Sequence, residues 1–527
     1  MQRRNLSNIP KALTRIDYEI PERYRNAFYL ANAAFFDSSN WFLHRAYEVY
    51  FPAIKNLFRQ NIDEKGISDA KLHSKVENIV ESLDQCNSII DVRFPIRREN
   101  GMLKIIRGFR AHYGESVQHA PCIGGLRIHE NITRDHMKAL SLLFAMKNSC
   151  LGIGLSGAMG GIKINPKNYS ENELKNIISL YINEMLKKGY CNHGDIIQPD
   201  INTGEKEMKW ISDAFTKYSG QHHLNSASTG KPLESGGIDN YYDAAAIGAL
   251  KALETFINNS DITTKINCTN TGLDDKRFIL QGIGKVGKCL GLLLEKSGAI
   301  CVGVKDVDAY LYDSKGIDFK DLLKHKEQHG SIKNFGLSKY EFPDSIFTED
   351  CDILVLAACQ KSLACYVARD VKAKIVLEAS DGPVTPTAHR ILISKSKLVV
   401  PDIYASGGSM VASYFEYLRN LQQIGLSADN ILRYSNELYK TMFANMNQNQ
   451  QQRQMMGGIS GGTQTSNMSL ISSNFIENSL DCVYSEVGQE ILKHLDLYKL
   501  GVDAKTAAYT VAIQNVFKSI LKQKRLI

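Results

Sequence analysis

Residues 276–296 read KRFILQGIGKVGKCLGLLLEK. The apolar run KRFILQ is predicted to be a short buried strand, and VGKCLGLLLEK a helix. Between them Gly282, Gly284 and Gly287 keep the spacing G-x-G-x-x-G, with Lys285 and Val286 inside it. A second strand, AICVGVKD, ends at Asp306. A lone glycine pattern is a weak signal, but here it lies in a complete strand–turn–helix–strand unit, the setting of a dinucleotide-binding turn. Gly282 permits the tight turn, Gly284 lets a pyrophosphate approach the backbone, and Gly287 lets helix and strand pack closely. The helix N-terminus offers free N–H groups and partial positive charge. Asp306 is placed to accept the adenosine ribose hydroxyls, which favours NAD because a carboxylate repels a 2′-phosphate. Lys305 beside it leaves NADP open. A glycine-rich turn without a ligand is the competing reading.

The same alternation continues downstream. CDILVLAA, AKIVLEAS and KLVVPD are further short apolar strands between helical stretches, which implies a parallel sheet covered on both faces. Upstream, residues 20–90 carry apolar residues at three- and four-residue spacing and are predicted helical. Ile89–Ile96 switches to period two, and MLKIIRGFRAHY alternates again after the turn signal Glu99-Asn100-Gly101, so a strand pair is predicted. Helices are expected at about 134–148 and 171–189, bracketing a glycine-rich segment. Residues 422–480 hold a helical piece and then NQNQQQRQMMGGISGGTQTSNMS, which has little to bury and reads as a solvated excursion. Two closing helices follow.

Composition limits the alternatives. Hydrophobic residues make up 43% and charged residues 23% of the 527, as in soluble globular proteins. The formal net charge of +7 is spread without a basic stripe, which argues against nucleic-acid binding. No apolar run is long enough to span a membrane. The eleven cysteines are scattered with no CxxC pair, so reduced thiols and no metal are expected. Arg3, Arg4, Lys11 and Arg15 precede the first acid, Asp17. That is the composition of a mitochondrial import segment or of a disordered basic tail; a mitochondrial matrix location is expected, with the cytoplasm as the alternative.

Longer segments resemble one family. FPIRRENG (94–101), GFRAHYGESVQHAPCIGGLR (108–127), INPKNYSENEL (164–174), PDINTGEKEMKWISD (199–213), TGKPLESGG (229–237), QGIGKVG, DGPVTP (381–386), SYFEYLRNL (413–421) and TAAYTVAIQNVFK (506–518) are similar to glutamate dehydrogenases of the animal type. The resemblance runs from roughly residue 27 to the end. It implies a substrate-binding α/β lobe over 21–235, after a basic leader at 1–20, and a doubly wound, Rossmann-type nucleotide lobe over 236–405. Helices over 406–527 would follow, with an antenna-like insertion at 422–480. It also implies oxidative deamination of L-glutamate to 2-oxoglutarate and ammonia with NAD(P), and a hexamer. By resemblance Lys147 is a substrate-binding lysine, Asp200 the proton-transfer aspartate and Ser413 the hydroxyl that holds a substrate carboxylate. Gly124 and Gly125 belong to the substrate-binding glycine motif.

Other positions depart from the family pattern. Ile123 stands where a first substrate lysine is usual, and Met159 where the catalytic lysine is usual. Ala245 replaces a threonine that faces the nicotinamide, and Asp381 and Ser406 stand where asparagines are usual near the cofactor. A missing general base removes a contribution of about 10²–10⁴-fold in rate. The expectation is therefore an impaired or inactive homologue that binds NAD(P). It would be kept as a regulatory or structural subunit of a homo-hexamer, a hetero-oligomer with an active paralogue, or a larger mitochondrial complex. The alternatives are an active glutamate dehydrogenase, or a dehydrogenase for a less acidic amino acid suited to Ile123.

Overall fold

The computed structural model describes residues 18–61, 68–114, 120–190, 194–220, 222–268, 270–336, 338–339, 343–421 and 468–523. Residues 1–17 of the expected basic leader at 1–20 and most of the expected excursion, 422–467, lie outside the described residues; 468–480 belong to the helix Met468–Leu497. The chain builds two sheets, each with its own helical cover.

The first sheet holds β1 (Ser88–Arg97), β2 (Leu103–Tyr113), β3 (Cys122–Ile128), β4 (Ser156–Ile162) and β5 (Asp195–Pro199) in the order β1-β2-β4-β3-β5. β1 and β2 form the predicted hairpin: Arg98 donates its amide to the Met102 carbonyl at 2.9 Å, and Gly101 turns at φ +83°. β3 and β4 did not announce themselves, because CIGGLRI and SGAMGGI are rich in glycine, a residue depleted in strands. Close packing explains the glycines. A Cβ on Gly124 would meet the Ala158 carbonyl oxygen at 1.6 Å, and one on Gly157 the Ser141 carbonyl oxygen at 2.0 Å. The helix Arg134–Cys150 therefore lies directly on β4, and β4 directly beside β3.

Arg110 of β2 crosses under this sheet, fully buried. It donates to both carboxylate oxygens of Asp195 at the start of β5 and to the Gly125 carbonyl at 3.0 Å. Burial alone would push the Asp195 carboxyl up; the Arg110 guanidinium and His112 outweigh it and hold it well below the usual range. A depressed folded pKa supplies stability above the unfolded value of about 3.9, and that stability is lost as pH falls. Wild-type urea midpoints are expected to drop between roughly pH 5 and pH 3 more steeply than those of Asp195→Asn, which starts lower. Parallel midpoint curves for the two proteins would refute this.

The second sheet is seven-stranded, in the order β12-β11-β10-β6-β7-β8-β9. Its parallel part comprises β6 (Arg277–Gln281), β7 (Ile300–Lys305), β10 (Ile353–Leu356), β11 (Ile375–Glu378) and β12 (Leu398–Val400). These are the strands the apolar runs predicted, and helices cover both faces. β8 (Tyr310–Tyr312) and β9 (Ser338–Lys339) add an antiparallel edge that was too short to read from the sequence. The closing helix Ala504–Gln523 packs against Phe35–Asn61 and Arg134–Cys150, so this helix is bound into the first lobe.

Candidate functional site

Between the two sheets lies a crevice of about 660 Å³. One wall comes from the first lobe: Arg127, Lys147, Asp200 and the loop that follows Asp200. The other comes from the second lobe: Gly284, Lys285, Val286, the loop after β10 and the loop after β11 with Ser380 and Asp381. Tyr241, Tyr242, Ala245, Ser406 and Ser409 also line it, as does Glu207.

The glycine turn has the predicted form. Gly282 sits at φ +91°, where only glycine is unstrained. A Cβ on Gly287 would collide with the Gly282 carbonyl oxygen at 1.9 Å, whereas one on Gly284 would meet no atom within 4 Å. Gly284 thus opens onto the crevice while Gly287 closes the turn beneath it. Gly284 caps the helix Lys285–Lys296 without any side-chain hydrogen bond, so the first amides of that helix remain for an anion. A dinucleotide pyrophosphate fits this cradle. Asp306 stands behind it, off the crevice surface, and already holds a cation: Lys326 lies 2.6 Å from its carboxylate and donates to the Ile283 carbonyl at 2.8 Å. A ribose here meets a paired carboxylate, which weakens the preference against a 2′-phosphate.

In the first lobe the expected site residues separate into three groups. Asp200 and Lys147 line the crevice. Asp200 accepts from Arg127 Nε at 2.6 Å and from the Ile201 amide at 2.6 Å. A Cβ on Gly125 would press on Asp200 at 2.7 Å, so this glycine makes room for the aspartate, while Gly124 serves the strand contact above. Lys147, in the last turn of its helix, donates across the crevice to Asp381. Burial would push the Asp381 carboxyl up, but the Lys147 ammonium and the Arg127 guanidinium hold it below the usual carboxylate range.

Ser413 differs from expectation. It is fully buried beneath the lining and donates to Gln198 Oε1 at 2.9 Å, and the Tyr241 phenol donates to it at 2.6 Å. The phenol roofs the serine over, so its hydroxyl has no open face. Ile123 and Met159 differ as well. Both have no exposed surface and belong to the main apolar core rather than to the crevice wall. An apolar chain has no charge to carry to the surface and packs inward. Of the departures, Ala245, Asp381 and Ser406 are the ones that border the crevice. Arg127, Tyr241 and Gln198 were not singled out from the sequence. Arg127 ends the quoted glycine motif and was the one with a signal; a tyrosine pair in a loop reads as packing.

Comparison with known proteins agrees with this geometry. The sequence profile of Glutamate/Leucine/Phenylalanine/Valine dehydrogenase matches residues 236–472, and that of the Glu/Leu/Phe/Val dehydrogenase dimerisation domain matches 86–217. The chain is 32% identical over 349 residues to the mitochondrial glutamate dehydrogenase of Dictyostelium discoideum, covering 66% of this chain and 69% of that one. It is also 32% identical over 350 residues to the NAD-specific glutamate dehydrogenase of Clostridioides difficile, covering 65% and 80%. The hetero-hexameric glutamate dehydrogenase of Thermus thermophilus, solved with leucine bound, superposes with a TM-score of 0.67 at 23% identity, over 90% of this chain and 96% of that one. With the profile, the relatives and the two-lobed crevice in agreement, the chain belongs to the glutamate dehydrogenase family.

Proposed function

We propose that this protein binds NAD or NADP in the crevice but is impaired or inactive in the oxidation of L-glutamate. It then serves as a regulatory or structural subunit of a hexamer or of a larger mitochondrial assembly. The observation that carries the reading is Met159: an apolar, fully buried side chain at the position where the family resemblance implies the catalytic lysine. The dinucleotide, when bound, supplies the hydride chemistry. This chain contributes the glycine cradle at Gly282–Gly287 and a crevice in which Asp200 is the remaining carboxylate of the family's proton-transfer set. The cation that Asp200 pairs with is Arg127, which stays protonated at any working pH and so cannot act as a general base.

A role in assembly draws support from the surface. The β1–β2 hairpin leaves Met102, Leu103 and Ile105 exposed, within the region matched by the dimerisation profile. The hetero-hexamer of Thermus thermophilus gives a fold-level precedent for unlike subunits together. The mitochondrial glutamate dehydrogenase of Dictyostelium discoideum among its relatives and the basic residues before Asp17 support a mitochondrial setting. The second reading is an active dehydrogenase, which the shared crevice position of Lys147 and Asp200 favours.

Steady-state assay of the purified chain with L-glutamate and NAD or NADP separates the two. Turnover is expected at least about 100-fold below that of an ordinary family member, the lower bound for a lost general base. Turnover within tenfold of such an enzyme would sink the proposal. NADH fluorescence titration tests the cofactor half independently, and native mass measurement of the complex purified from mitochondria tests the assembly half.

A further inference from the structure

The cations of the crevice wall in the first lobe each already have a carboxylate: Arg127 has Asp200, and Lys147 has Asp381. The second pair is unusual in where its members come from. Lys147 belongs to the helix Arg134–Cys150 of the first lobe, and Asp381 to the loop after β11 of the second. Their hydrogen bond spans the crevice at the place where a ligand's carboxylate would seek the ammonium.

We propose that Asp381 is a built-in counter-carboxylate that occupies Lys147 and makes the crevice reject carboxylate ligands of the L-glutamate and 2-oxoglutarate class. The inference rests on the reading above that Lys147 marks the substrate end of the crevice. It depends on Asp381 being unable to step aside, and the loop is pinned on both flanks. The Ser380 hydroxyl donates to the Leu356 carbonyl at 3.0 Å, the Gly382 amide donates to Asp402 at 2.9 Å, and the Lys361 amide donates to the Gly382 carbonyl at 2.9 Å. Gly382 turns at φ +55°, which fixes the direction of the chain. The Lys147 side chain is equally fixed. It is 4% exposed, with its ammonium 5.0 Å from the Phe144 ring centroid. A carboxylate that approaches Lys147 must therefore share its ammonium with a resident carboxylate, and two like charges at one cation disfavour each other. Arg127 offers no relief, because Asp200 holds it.

Ligand neutrality at this end is thus set by a residue of the nucleotide-binding lobe, not by the loss of lysines alone. The test is calorimetric titration of 2-oxoglutarate into the full-length protein, its Asp381→Asn variant and the Asp381→Asn/Lys147→Ala double variant, each with and without saturating NADH. Wild type is expected to show no binding tighter than about 1 mM. Asp381→Asn is expected to bind at least tenfold more tightly, and the double variant to lose that gain. Asp381→Ser serves as a second opening variant if asparagine impairs folding, as judged by thermal melting. Equal affinity in wild type and the opened variants, silence in all of them, or a gain that survives the loss of Lys147 would each overturn the proposal. Because binding is read without turnover, residual catalysis or failure to bind NADH would count against the proposed function and leave this titration interpretable.

Discussion

Met159→Lys is expected to destabilise the protein by about 3 kcal/mol or more and to restore little turnover on its own, because it places an ammonium in an apolar core with no partner. Met159 has no exposed surface, pairs in register with Ala111 of β2, and lies in the same apolar cluster as Ile123 and Phe109. A lysine here either loses its proton, as buried lysines do by up to several pKa units, or pulls the strand toward the crevice. Neither outcome delivers a base beside Asp200. Adding Ile123→Lys raises the burial cost further. Urea denaturation reports the destabilisation as a lower midpoint at unchanged slope, and the glutamate assay reports turnover. A gain of more than tenfold in turnover with no loss in the midpoint would show that the position still opens onto the substrate. The impairment would then be one residue deep rather than built into the packing.

How much of this was legible beforehand follows from what sequence patterns record. The second lobe was readable because its strands are buried on both faces and its glycine turn has fixed spacing: Arg277–Gln281, Gly282–Gly287 and Ile300–Lys305 fell where the pattern put them. The first lobe was half readable. Its hairpin alternates, but β3 and β4 are held by glycines whose role is the close contact of backbone with backbone, which leaves no periodicity. Within the site, the departures at Ile123 and Met159 are visible in the sequence but their direction is not: a motif position does not show which way its side chain turns, and here the apolar chains sink into the core. The pairs that now define the crevice join residues far apart in the chain. Lys147 with Asp381 and Tyr241 with Ser413 depend on how the lobes meet, and no local spacing encodes that.

Lys505→Met is expected to be the most damaging single change away from the crevice, costing about 3–5 kcal/mol, the range for removing one partner of a buried ion cluster. Lys505 opens the closing helix Ala504–Gln523 and is fully buried. Its ammonium donates to Glu378 at the end of β11 at 2.7 and 2.8 Å, stands 3.1 Å from Asp402, and lies 4.2 Å from the Phe42 ring centroid. One cation thus fastens the closing helix to the second sheet and to the helix Phe35–Asn61. Two carboxylates share it, and burial together with the neighbouring Asp402 pushes the Glu378 carboxyl up to about 7 against the pull of Lys505. Without the ammonium, both carboxylates remain in the interior with no cation, so the penalty should be largest where both are ionised and shrink as acid protonates Glu378. Lys505 pulls the Glu378 carboxyl down, so without it the carboxyl gains its proton at a higher pH than in wild type; the midpoints of the two proteins should therefore converge as pH falls from the alkaline side toward about 7 and run parallel below it. The triple variant Lys505→Met/Glu378→Gln/Asp402→Asn should recover much of the loss, because neutral partners no longer demand a cation. A pH-independent gap between wild type and Lys505→Met would place the damage in lost packing against Phe42 instead of in the charge. Unlike the crevice changes, this loss should appear in the melting curve and the oligomer distribution whether or not the subunit turns over any substrate. It separates what the chain needs to fold from what it needs for chemistry.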